Sequence, residues 1–217
     1  SPFADIAVVW AKNEEGRIHG LIVERGMEGF STPETHNKWS LRASATGELI
    51  FDNVKVPKEN LIGEEGKGAV ILDKVLDVGR ILLAAEMLGG IQECFERTVE
   101  YLKTREQFGV PIGSFQSLKH RAAQMFCEVE LSKSVVLEAL SALDEDSDQI
   151  PELASLAKAR LNDTYNLVSS EGVQMHGGIG MTDEYEIGFF MKRSRVCEHT
   201  FGGSAFHRNR YGVLQGY

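Results

Sequence analysis

The chain has 217 residues, with 23 basic against 32 acidic side chains and a formal charge of −9. That length allows one large domain or two small ones, and 42% hydrophobic with 25% charged residues is the composition of a globular protein with a real core. The acidic balance argues against a nucleic-acid partner, which needs clustered Lys and Arg, and no apolar run approaches the roughly 20 residues that span a bilayer. Three widely spaced cysteines, Cys94, Cys127 and Cys197, argue against a disulfide scaffold or a zinc ribbon and suit a reducing compartment. The opening SPFADIAVVW has neither the basic stretch nor the cleavage site of a secretory leader, so secretion is not expected.

Residues 1–65 read as strands. Ile6 to Trp10 is a short apolar run, and Asn13 to Gly16 is a polar turn. His19 to Glu24 is a second strand, broken by Gly26 to Gly29. Leu41 to Thr46 and Gly47 to Val56 are two more, the last alternating Leu49, Phe51, Val54 and Val56 with Asp52-Asn53 as a turn or bulge. Trp10 and Trp39 are expected in the core of this half. The meander starts abruptly after Ser1-Pro2, and four strands with open edges make a poor independent domain. Some partner strands are therefore expected to lie outside this sequence.

From residue 66 the period becomes helical. Val70 to Lys103 carries apolar residues at Val75, Val78, Leu82, Ala85 and Leu88, the spacing of a long amphipathic helix. Thr104 to Ser114, with Gly109, Pro111 and Gly113, reads as a loop. Phe115 to Leu143 is a second helix, and Asp144 to Pro151 is an acidic turn whose Pro suits the first turn of a third helix ending near His176. Gly177 to Gly180 breaks that helix. Asp183 to His199 is the fourth, with Asp183 to Glu186 as its cap and first-turn charges. The predicted fold is α+β: a partial antiparallel β domain over 1–65, then an antiparallel four-helix bundle over 66–217.

Several residues stand out chemically. Arg105 and Phe108, between two helices, offer a donor fork for phosphate and a flat face for a ring. Spacing alone favours a helix cap with Phe108 plugging the core. Gln174 to Gly180 is a glycine cluster at a helix end, suited to close backbone approach or simply to a sharp stop. His176, His199 and His207 lack the spacing of a metal site. Glu86 lies in an otherwise apolar helical stretch, where a carboxylate is either partnered or perturbed. An ion pair with a neighbouring helix is the favoured reading. Glu198 ends the fourth helix.

Four stretches, in this order and spacing, resemble the acyl-CoA dehydrogenase family: Gly47 to Pro57 with Leu61-Ile62-Gly63, Arg105-Glu106-Gln107-Phe108-Gly109, Phe115-Gln116, and Gln174 to Gly180. The stretch Lys38 to Gly47 is similar to the glutaryl-CoA dehydrogenase branch. The resemblance implies an N-terminal helical domain, a middle β domain and a C-terminal four-helix bundle, assembled as a homotetramer, a dimer of dimers. This chain then corresponds to the second half of the β domain plus the bundle. Its missing N-terminal half would come from a longer chain or from a partner.

The resemblance also implies FAD as cofactor, an acyl-CoA substrate, an electron-transfer flavoprotein-like acceptor, and a bacterial cytoplasmic or mitochondrial matrix location. It gives Arg105, Phe108, Gln174 and Gly178 to the FAD of a neighbouring subunit, Ser204 to the vicinity of the cofactor, and Asp77 and Arg80 to the acyl-CoA side. The family's base, a carboxylate that removes the α proton while hydride leaves Cβ, falls at Gly202 or, in some branches, at Gly79. Glycine cannot take a proton. Glu198 and Glu86 are the candidate replacements, and the alternative is a non-catalytic subunit that completes a partner's FAD site.

Overall fold

The computed structural model describes residues 2–217; the expectation about Ser1 lies outside the described residues. The chain forms two compact units, Ser1–Leu76 and Asp77–Tyr217.

In the first unit, β1 (Ile6–Lys12) pairs antiparallel with β2 (Ile18–Glu24), running from Ile6 opposite Glu24 to Lys12 opposite Ile18. Trp10 faces Gly20 across this ladder, and a Cβ at Gly20 would come within 2.6 Å of the indole. Two-residue strands complete the unit. β3 (Phe30–Ser31) pairs with β4 (Ile50–Phe51), stacking the Phe30 and Phe51 rings at 5.2 Å. β5 (Leu61–Ile62) pairs with β2.

Three expectations need correction here. Leu41 to Thr46 is a turn rather than a strand. Leu41 has φ +47°, the Ser44 N–H donates to the Leu41 carbonyl, and Lys38 Nζ gathers the Leu41 and Ser44 carbonyls and Thr46 Oγ1 around itself. A residue at positive φ and a backbone bond closed over three residues take the segment out of the extended form a ladder needs. Trp39, in the same segment, is 58% exposed and outside any core. The long predicted strand from Gly47 shrinks to Ile50–Phe51; the turn expected at Asp52-Asn53 is there, with Asn53 at φ +52°, and it ends the strand.

Helix α1 (Gly68–Thr104) runs unbroken for 37 residues. Helix α2 (Gln116–Asp144) and helix α3 (Ile150–His176) follow, α3 with its Pro at the first turn. Helix α4 (Ile187–His199) and helix α5 (Ser204–Leu214) complete the second unit. Ile81, Met87 and Ile91 of α1, Met125 and Val129 of α2, Leu161 and Val168 of α3 and Ile187 of α4 are all buried in one core. Each such side chain contributes about 1.5–3 kcal/mol by leaving water. Two glycines set the α1–α3 approach: a Cβ at Gly90 would meet Tyr165 Oη at 2.4 Å, and one at Gly172 would meet Cys94 Sγ at 3.0 Å.

Helix α4 starts four residues later than predicted. The chain first makes a 3₁₀ turn over Gly177–Met181, closed by Thr182, whose hydroxyl donates to the Ile179 carbonyl at 2.8 Å. Glu186 takes the N-cap position as expected, but its side chain makes no cap hydrogen bond and no acidic residue lies in the first turn; Asp183 and Glu186 pair instead with Lys192 and Arg97. Helix α5 has no counterpart among the predicted elements. Among the described residues, no helix is long and apolar enough to cross a membrane.

Candidate functional site

The singled-out residues gather in two places on the second unit. The first lies where α1 and α3 both end. Tyr101, one turn before Arg105, stacks on His176 at 4.2 Å, and its hydroxyl donates to the His176 carbonyl at 3.3 Å. This fixes the Arg105 loop beside the glycine corner. The loop itself is a tight hairpin, β6 (Glu106–Gln107) with β7 (Val110–Pro111). Its two turn residues, Phe108 and Gly109, have φ +56° and +79°. This is the geometry of a two-residue mirror-image turn, which glycine accepts and Phe adopts only at a cost of about 1 kcal/mol or more. Phe108 does not plug the core: it is 92% exposed.

Across from it, Gln174, Gly177 and Gly178 are exposed, and a Cβ at Gly177 or Gly178 would meet nothing within 4 Å. His176 is buried and donates from Nδ1 to the Gly172 carbonyl at 2.6 Å; burial pushes its pKa down. Arg105, Phe108, Gln174 and Gly178 thus present a cation, an aromatic face, an amide and bare backbone at one end of the bundle. That set fits the phosphates and flat ring of a nucleotide.

The second place is the corner between α4 and α5. Phe201 and Gly202 both have positive φ, +62° and +112°. A Cβ at Gly202 would lie 2.6 Å from Phe206 Cδ1 and 3.0 Å from His207 Nε2. A Cβ at Gly79 would lie 3.2 Å from the Phe201 ring. One aromatic ring therefore covers the glycine on α1 and is carried by the residue before the glycine on the corner. Ser204 opens α5 and donates to Asp163 Oδ1 at 2.8 Å.

Behind the corner is a buried polar layer. Asp77 accepts from Arg80 Nη1 at 2.7 Å through Oδ1 and from Arg210 Nη2 at 2.8 Å through Oδ2. The side chains of Asp77 and Arg80 are only 4% and 7% exposed. Their polar atoms are engaged with one another and with α5. Arg210 also donates to Ser155 Oγ and the Pro151 carbonyl. His207 Nε2 donates to the Phe201 carbonyl at 3.0 Å, and burial pushes its pKa down to about 4, so the ring is neutral at pH 7. Lys158 Nζ donates to Asn162 Oδ1 and the Cys197 carbonyl, both at 2.7 Å, and to the Gly202 carbonyl at 3.2 Å.

Sequence reasoning missed Lys158, Asn162 and Arg210, and singled out His207 only to set a metal role aside. The signal was present for two of them: Lys158 and Asn162 stand one turn apart on a helix face otherwise built of Ala154, Ala157, Leu161 and Tyr165. The two candidate bases are each held by an arginine. Glu86 is 49% exposed and accepts from Arg193 of α4, with Nε at 2.7 Å. Glu198 accepts from Arg195 at 2.6 Å on its own helix. Glu86 is also about 10 Å along the axis from Gly79.

This second unit is an α-helical domain with an exposed nucleotide-type face at one end and a glycine-lined corner at the other. The family model described as "Acyl-CoA dehydrogenase, C-terminal domain" matches residues 66–212. The chain belongs to the acyl-CoA dehydrogenase family. It is 36% identical over 199 residues to the short-chain-specific acyl-CoA dehydrogenase of Megasphaera elsdenii, covering 90% of this chain and 52% of that protein. It is 35% identical over 200 residues to the caffeyl-CoA reductase–Etf complex subunit CarC of Acetobacterium woodii, covering 90% and 52%. The solved butyryl-CoA dehydrogenase of Megasphaera elsdenii superposes with a TM-score of 0.91 at 34% identity, over 98% of this chain and 56% of that one. The chain spans about half the length of the curated relatives it matches.

Proposed function

We propose that this chain works as the C-terminal part of an acyl-CoA dehydrogenase-type flavoprotein, which removes hydrogen from the α and β carbons of an acyl-CoA thioester. When bound, FAD supplies the hydride acceptor. Residues 1–65 are read as half of a β domain completed by a preceding segment or a partner chain, and residues 66–217 as the bundle. In this reading Arg105 pairs with the cofactor's pyrophosphate, Phe108 packs on its adenine portion, and Gln174 and the open backbone at Gly178 hold its ADP part. Ser204 lies toward a flavin at the other end.

Arg80 and Tyr101 are 21 residues apart on α1, roughly 30 Å. One dinucleotide does not reach both ends of a single bundle. In keeping with the family resemblance, each cofactor is read as shared between copies in a homo-oligomer, a dimer of dimers. The electron acceptor is an electron-transfer flavoprotein-like protein, in keeping with the Etf-complex relative, and the location is a bacterial cytoplasm or mitochondrial matrix.

The observation that carries this reading is the exposed Phe108, held at positive φ beside Arg105 and the uncovered glycine corner. A strained, fully exposed aromatic is consistent with a ligand-facing role. Replacing Arg105 by Ala removes a charge-assisted pair with phosphate, and is expected to weaken FAD retention about tenfold or more. Equilibrium dialysis of flavin from the assembled protein checks this; undiminished retention removes the assignment.

A specific observation favours a second reading for the chemistry. Gly79 and Gly202 carry no carboxylate, and Glu86 and Glu198 are each held by an arginine. The base is then supplied from outside these residues, or the chain is a non-catalytic subunit that completes a partner's FAD site. Anaerobic titration of the flavin-loaded assembly with acyl-CoAs of graded length separates the two. Bleaching of the flavin band is expected for the dehydrogenase; bound flavin that no acyl-CoA reduces leaves the non-catalytic subunit.

A further inference from the structure

We propose that Lys158 is the positioning residue of the Phe201–Ser204 corner, and that it holds Gly202 in place only while its side chain is an ammonium. Nζ is fully buried and faces three acceptors: Asn162 Oδ1, the Cys197 carbonyl and the Gly202 carbonyl. An ammonium carries three N–H groups, one for each acceptor; a neutral amine carries two. The bond to Gly202, at 3.2 Å, is the longest of the three. It is the one a neutral amine gives up.

The remaining holds on the corner are unequal. Phe201 keeps His207 Nε2 at 3.0 Å and Arg80 Nε at 3.5 Å on its carbonyl. Gly202 keeps only Asn162 Nδ2, at 3.4 Å. Loss of the ammonium therefore frees Gly202 before Phe201. The charged and titratable groups that face Lys158 come from three elements: Arg80 on α1, Cys197 and Glu198 on α4, and His207 on α5. Burial, aided by Arg80, brings the Lys158 pKa down to about 8, while the Cys197 thiol is pushed up and His207 down to about 4. Of Lys158, Cys197 and His207, Lys158 is the one that changes charge between pH 7 and 9.

The sign separates this role from simple packing. The folded pKa lies below the free value of 10.5. Between about pH 8 and 10.5 the unfolded chain holds a proton that the folded chain has shed. Lys158's contribution to global stability therefore rises with pH. The corner loosens over the same range. A residue that only packs moves neither quantity with pH.

Hydrogen–deuterium exchange on the full chain, as assembled, tests this between pH 6.5 and 9.5. After correction for intrinsic rates, protection of amides 200–206 is expected to fall about tenfold from pH 7 to 9 while α2 stays protected. Lys158→Met should show low protection at every pH and no break. Should that variant fail to fold, Asn162→Leu leaves two acceptors, which a neutral amine satisfies, so the break should shrink. A wild-type corner with constant protection, or a break that survives in Lys158→Met or stays full-sized in Asn162→Leu, overturns the proposal.

The consequence for ligands rests on the reading under Proposed function. Ser204 and the Phe201 ring frame that site, so acyl-CoA affinity, read from perturbation of the flavin band, should weaken over the same interval. A break in exchange with no flavin or acyl-CoA response overturns the ligand reading and leaves the positioning role standing.

Discussion

Gly202→Glu is expected to destabilise the protein by about 3 kcal/mol and to create no dehydrogenase activity. Two costs add. The backbone at Gly202 has φ +112°, a region L-residues avoid, and the new Cβ would meet Phe206 at 2.6 Å and His207 Nε2 at 3.0 Å. His207 cannot step aside freely, because its Nε2 holds the Phe201 carbonyl. The carboxylate would thus be installed by breaking the corner that should aim it. Gly79→Glu should behave differently. Gly79 is helical, and only the edge of the half-exposed Phe201 ring stands in the way at 3.2 Å. Relief of a mid-helix glycine is worth about 1 kcal/mol, which offsets the cost of displacing the ring. Urea denaturation midpoints of both variants, with Gly212→Ala on open α5 surface as a control, check the ranking. An unchanged midpoint for Gly202→Glu would mean that the corner relaxes at little cost.

The contrast between these two glycines shows what a sequence can carry. Helices α1, α2 and α3 were legible because each is long and punctuated, α3 by Pro151 at its start and Gly177 at its end; on α1 the stripe read from the sequence is the wrong one, since Val75, Val78 and Leu82 are exposed and Ile81, Ala84 and Met87 face the core. Helix α5 was not, because its buried face is polar: His207 and Arg210 pack inward, and no apolar period announces them. The strand expected at Leu41 failed because Leu41 takes positive φ and the Ser44 N–H bonds back to its carbonyl, which turns the chain. Motifs singled out Arg105, Phe108, Gln174 and Gly178, which the fold leaves exposed at one end of the bundle, and spacing alone favoured the wrong position for Phe108. Its exposure depends on a mirror-image turn that composition does not reveal. The pairing of Glu86 with a neighbouring helix was the favoured reading, but naming Arg193 needed the α1–α4 geometry. Lys158 belongs to a third kind. The residue was visible in the helix pattern, but its role depends on three acceptors, two of them backbone carbonyls 39 and 44 residues away.

Asp77→Ala carries the largest expected cost from a side chain, about 3–5 kcal/mol, and the change with a partner decides its meaning. Asp77 is the carboxylate that Arg80 on its own helix and Arg210 on α5 share, at 2.7 and 2.8 Å. Removing it leaves two mostly buried guanidiniums facing one another across the place it occupied. Burial makes that repulsion expensive, because water cannot screen it as it would at the surface. Arg210→Met alone removes α5's ionic tie to α1 but keeps the Asp77–Arg80 pair, and should cost less. In the double variant Asp77→Ala/Arg210→Met, the facing cations are gone, and the total should fall short of the sum of the single costs by at least about 1 kcal/mol. Strict additivity across the cycle would show that the carboxylate acts through packing rather than charge. Because Arg80 also donates to the Phe201 carbonyl at 3.5 Å, the Asp77 variant should further raise amide exchange at the corner, tying the stability of α5 to the geometry over Gly79.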